Sequence, residues 1–146
     1  MSPEEQQQRV RASFAKQGLM TTLGATLHSV SPGLVEIVLI PHPEISQQHG
    51  FVHAGAVSAI ADSAAGYAAL SLMPADAGAL TAEFKINLLA PAAGERILAR
   101  GRVVKAGRTL TLAQAEVFAE NGGQEKLIAL LTATLMTVKG RDGISD

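Results

Sequence analysis

The chain contains no cysteine and no tryptophan, a single tyrosine and four phenylalanines among 146 residues. Without cysteine it can form no disulfide, no Cys-ligated zinc site and no thiol nucleophile. With aromatics at only 3% it lacks the stacking platforms of single-strand nucleic-acid binders. A basic excess is missing too: twelve Lys and Arg face thirteen Asp and Glu, a net charge of −1. Proteins that neutralise several phosphates carry such an excess, so nucleic acid is not an expected partner. The N-terminal MSPEEQQQRVRASFAKQG is polar and partly acidic, unlike a secretory signal. The expected location is the cytoplasm.

What the chain does have is small apolar residues. Hydrophobic side chains make up 47% of it, mostly Ala, Leu, Val and Ile. This is material for one closely packed domain, expected to span residues 1–146. The longest apolar run, Ala54 to Met73, approaches the length of a bilayer span, but it holds Asp62, Gly55 and Gly66 and is rich in Ala. It reads as a buried helix of a soluble domain, ended by Pro74.

Ahead of it, Pro3 to Lys16 predicts an N-terminal helix within residues 1–17, capped by Ser2 and stopped by Gly18. Thr22–Ser29 and Leu34–Ile40 read as a hairpin around Ser31-Pro32-Gly33, and PHPEISQQHGFVH as a long loop. Four further strands are expected at Leu80–Leu89, Arg96–Lys105, Thr109–Glu120 and Lys126–Lys139, each paired with the next across a turn. An α+β domain follows, an antiparallel sheet of about six strands wrapped around the long helix. The far side of the helix and the open sheet edge would still need cover, so self-association is expected.

Three features coincide around the start of that helix. Its first amides, at Ala54, Gly55 and Ala56, carry partial positive charge, and small side chains let a carbonyl approach them. That is an oxyanion site made from backbone. Asp62 lies two turns further on in an otherwise apolar run, flanked at one turn by Ser58 and Gly66. A carboxylate in such a place is expensive unless it is paired or used. Gln47, seven residues before Ala54, offers a further amide donor. His53 is expected to orient the loop through backbone. His42 and His49 have no carboxylate at metal-ligand spacing, so no metal site is expected. Lys105, Arg108 and Arg141 read as solvated turn residues.

The segment QQHGFVHAGAVSAIADSAAGYAA resembles the signature of the PaaI-like thioesterases of the hotdog superfamily, N-x-x-G-x-x-H-G-G followed by an Asp on the central helix. LTAEFKINLLAPAAGERILARGRVVKAGRTL is similar to that family's later strands. The resemblance implies a hotdog fold and hydrolysis of an acyl-CoA without metal or redox cofactor, CoA being part of the substrate. It implies Asp62 as nucleophile or general base, the Ala54 amide and Gln47 on the thioester carbonyl, and Thr81 as a hydroxyl that positions water. His53, Gly55, Ser58 and Gly66 would then line the substrate. It further implies a homodimer with sites at the interface, assembled as a dimer of dimers. Three positions depart from the family's patterns: Gln47 for Asn, Ala54 for the first Gly, and Gly66 where one branch has Thr. The alternatives are a non-catalytic acyl-CoA sensor on the same fold, or a hydratase pairing His with an acid.

Overall fold

A computed structural model describes all residues, 1–146. Helix α1, Pro3–Ala15, opens on a capping box. The Glu5 amide donates to Ser2 Oγ and the Ser2 amide to Glu5 Oε2, with Pro3 in the first turn. The expected first strand begins later than its sequence suggests. Gly18–Leu23 is instead a second short helix, α2, which buries Met20 and Leu23 at helical spacing and ends at Gly24, φ 76°. Gly18 therefore opens a helix rather than simply ending one. Local β propensity yields here to the core contact made by those two side chains.

Strands β1, Thr26–Ser31, and β2, Leu34–Leu39, form the expected hairpin. After a short 3₁₀ turn at Pro43–Ile45 comes the central helix α3, Ala54–Leu70, three residues shorter than the apolar run that announced it. The Ser71 hydroxyl, which donates to Ala68 O and accepts from the Gly33 amide, marks its end. The Arg9 guanidinium then takes up the carbonyls of Leu70, Met73, Pro74 and Ala77. Four strands follow: β3 Ala77–Leu88, β4 Arg96–Ala106, β5 Leu110–Asn121 and β6 Gln124–Lys139.

The six strands make one antiparallel sheet in the order β1-β2-β4-β5-β6-β3. One expected pairing is corrected. β3 and β4 are not neighbours; the connection after Leu88 crosses the sheet, β3 pairs with β6, and β4 inserts beside β2. The other short turns do join neighbours.

The sheet curls around α3. Ile37 and Leu39, Ile97 and Ala99, Ala113 to Val117, and Leu131 to Leu135 present alternate buried residues to it. The approach is closest at Gly101, where an added Cβ would lie 2.3 Å from the Ala64 carbonyl. An alanine-rich helix suits a sheet this near. On the outer face Arg100 bridges Glu36 at 2.7 Å and Glu125 at 3.2 Å, and lies 5.0 Å from the Phe118 ring. No helix is long and apolar enough to cross a membrane.

Strand β3 is different. It ends the sheet, and its partners in β6 show that Phe84 and Leu88 lie on the helix-facing side, opposite Ala133 and Ala129. Yet Phe84 is 46% exposed and Leu88 55%. Helix α3 leaves this end of the concave face uncovered.

Candidate active site

The loop before α3 is shaped by Gln47. Its Oε1 accepts from the amides of His49 at 2.5 Å and Phe51 at 3.3 Å, while its backbone N–H donates to Phe51 O. The loop thus occupies the acceptor end of the carboxamide and leaves the Nε2 donor without a partner in the chain. His53 is the helix cap: its Nδ1 accepts from the Gly55 amide at 2.7 Å. The Ala56 amide donates to His53 O. Of the three first-turn amides expected to be open, only that of Ala54 has no partner. The amides of Gly55 and Ala56 are therefore not open, the first being taken by the imidazole and the second by the His53 carbonyl.

Gln47, His53 and Ala54 line a cavity of about 560 Å³, walled by Phe51, Val57, Leu88 to Ala92 and Ile128. Two free donors at the positive end of a helix face an apolar space.

Asp62 lines a separate cavity of about 470 Å³. Half-buried on α3, it accepts a hydrogen bond from Thr81 Oγ1 at 2.8 Å and has no cationic partner. Burial pushes its carboxyl above the usual carboxylate value of 3.8, with the Thr81 bond acting in the opposite direction. Gly66 lies on the same cavity. Ser58 lines neither; its hydroxyl donates to Ala54 O within the helix.

The chain therefore holds free donors in one cavity and a carboxylate in another. Eight residues of helix put them ~12 Å apart along the axis and roughly 80° apart around it.

The Thioesterase superfamily family model matches residues 49–126, which include the helix cap, Asp62 and Thr81. The chain belongs to this superfamily. A thioesterase family protein of Silicibacter pomeroyi is 52% identical, with a TM-score of 0.90 over 92% of this chain and 99% of that one. The Thermus thermophilus phenylacetic acid degradation protein PaaI, in a mutant form, is 26% identical with a TM-score of 0.73, covering 82% and 98%. The Escherichia coli PaaI protein, at 22% identity, shares the fold, with a TM-score of 0.85 over 94% and 96%. The six-stranded sheet around α3 is thus the hotdog fold, and the chain is a thioester hydrolase.

The Asp62 cavity of this thioesterase holds residues that sequence reasoning missed. Gln17 Nε2 donates to the Tyr67 hydroxyl at 2.8 Å, and its Oε1 accepts from Ser63 at 3.3 Å. Ser13 lies 3.1 Å from the same phenol and donates to Asp146 at 2.9 Å. All of them line the Asp62 cavity. One signal was there to read: the sole tyrosine stands five residues after Asp62 in an alanine-rich helix.

Proposed function

We propose that this thioesterase hydrolyses an aryl- or medium-chain acyl-CoA to the free acid and CoA, in a site completed by two protomers. The Ala54 amide and the Gln47 carboxamide of one protomer hold the thioester oxygen. Asp62 and Thr81 come from the other. The observation that carries this reading is a half-buried carboxylate with no cation beside it. Buried structural carboxylates are paired; one whose burial is opposed only by a single hydroxyl is placed to react.

Two modes suit it. As nucleophile, the carboxylate adds to the thioester carbon and expels CoA thiolate, leaving a mixed anhydride that water opens to the acid. As general base, it takes a proton from water while the water oxygen attacks the same carbon; the C–S bond then breaks, and CoA leaves as a thiolate that takes up the proton. In both, negative charge builds on the thioester oxygen, where each well-placed donor is worth ~3 kcal/mol.

The two-protomer arrangement follows from distance. Nucleophile and oxyanion donors must both lie within ~3 Å of the reacting group. Halves separated by two helical turns cannot meet on one carbonyl. The free β3 edge, with Phe84 and Leu88 exposed beside it, supplies a surface for a second copy. We assign the homotetramer as a dimer of such dimers and its place to the cytoplasm, where acyl-CoA is made and used.

The test is thiol release from acetyl-, hexanoyl- and benzoyl-CoA by the wild type and Asp62→Asn. The substitution should lower kcat/KM by about 10²–10⁴, the range of a lost general base. A wild type that binds acyl-CoA yet releases no thiol would instead be a sensor.

A further inference from the structure

Gly66 stands in the interior of α3, where glycine weakens a helix relative to alanine. The fold gives no reason for it. Its φ is not in the left-handed region, and an added Cβ would meet only Leu135 Cδ1, at an ordinary 3.9 Å. The contrast with Gly101 is sharp, since there a Cβ would strike the Ala64 backbone at 2.3 Å. Past its first turn α3 otherwise uses alanine, at 59, 61, 64, 65, 68 and 69, or serine, at 58 and 63, at its small positions. Gly66 is the one residue beyond that turn without a Cβ, and it lies on the wall of the Asp62 cavity, a single turn past the carboxylate.

Resting on the function proposed above, we infer that Gly66 sets acyl selectivity by making room for bulk next to the thioester carbonyl. One turn of helix is ~6 Å. Asp62 or its water must approach the carbonyl carbon closely, so the space vacated at Gly66 belongs to atoms one or two bonds from that carbon. It admits an aryl ring or a branch there and is indifferent to the length of a straight chain. The Tyr67 hydroxyl, fixed by Gln17 at 2.8 Å and Ser13 at 3.1 Å, closes the same cavity beyond it.

The experiment compares kcat/KM for benzoyl-, hexanoyl- and acetyl-CoA in the wild type, Gly66→Ala and Gly66→Ser. Both variants should lower the benzoyl-to-hexanoyl ratio at least tenfold, as a filled methyl-sized space does in a snug pocket. The hexanoyl-to-acetyl ratio should move less than threefold. Gly66→Ala should also melt a few degrees higher and sediment as the wild type does. Unchanged selectivity in an active enzyme overturns this inference alone. A lower melting temperature, or a smaller assembly, shows that the glycine serves packing and overturns it too. A wild type inactive on all three thioesters sinks the functional reading and this one with it.

Discussion

The two ends of the reactive stretch of α3 are opposites. At Ala54 the helix offers a hydrogen-bond donor to a mostly apolar cavity; at Asp62 it offers an acceptor to a more polar one, whose lining includes Ser13, Lys16, Gln17, Tyr67 and Asp146. Each is poor on its own. Unpaired donors beside Leu88 and Ile128 gain no solvation from those neighbours, and burial works against the charged form of a carboxylate that has no cation beside it. Brought together on one carbonyl, each supplies what the other lacks. On the function proposed above, a single chain carries two incomplete half-sites rather than one weak site.

Mixing tests that division most severely. Asp62→Asn removes the acid half and Gln47→Ala weakens the donor half, so each homodimer should fall at least about 100-fold in kcat/KM. If each site draws its halves from two protomers, a mixed dimer regains one intact site and places both lesions in the other. Random exchange of equal amounts makes half the dimers mixed, so activity should return to about a quarter of the wild type. No recovery after demonstrated subunit exchange would place both halves of each site in one chain and end the comparison.

Thr81→Val sharpens the acid half and should have a smaller effect. The sign follows from Asp62. Burial raises its pKa, and Thr81 partly lowers it again by bonding to the charged form. Catalysis needs the carboxylate, so kcat/KM should climb with pH through a midpoint above the ordinary carboxylate range and level off beyond it. Removing the hydroxyl should move that limb to higher pH and cost about tenfold at its foot, the weight of one hydrogen bond to a charged group. Stability has the opposite slope. The folded state holds this proton more tightly than the unfolded one, so stability falls as pH rises from the unfolded value through the native one. Thr81→Val should extend that fall upward, and Asp62→Asn should abolish it. A pH–rate profile identical to wild type in Thr81→Val would show that the 2.8 Å bond does not act on the reacting group.

Much of this was legible in the sequence wherever the signal is local. An alanine run ended by Pro74 announces α3, and the turns between them announce β4, β5 and β6. Asp62 stood out because its neighbours are apolar. The errors came where a distant contact decides. Gly18–Leu23 is helical because Met20 and Leu23 reach the core, although Gly24 marked its end in plain view. The crossing from β3 to β4 follows from which edges find partners, which no turn residue encodes. Gln17 meets Tyr67 across 50 positions of sequence, and Arg9 reaches Pro74 across 65. Such pairs leave no periodicity to read. The site was therefore visible as a list of residues, while its sharing between two protomers came from the family resemblance rather than from any pattern in the chain.

His53 carries the smallest expected effect and bears on the donor half. Its Nδ1 caps α3 by accepting from the Gly55 amide, so His53→Ala should cost about 1 kcal/mol, the usual weight of a helix cap. In a domain of this size that lowers Tm by roughly 2–5 °C. Activity should fall less than tenfold, because the Ala54 amide keeps its place in the first turn and Gln47 its loop. His53→Asn is the informative companion. Its short carbonyl can accept from the same amide, so it should recover most of the lost Tm and the lost rate together. Recovery of Tm without recovery of rate would mean that the imidazole itself touches the substrate. The donor half would then hold a titratable group, and the contrast between a purely dipolar half and an ionised one would have to be redrawn.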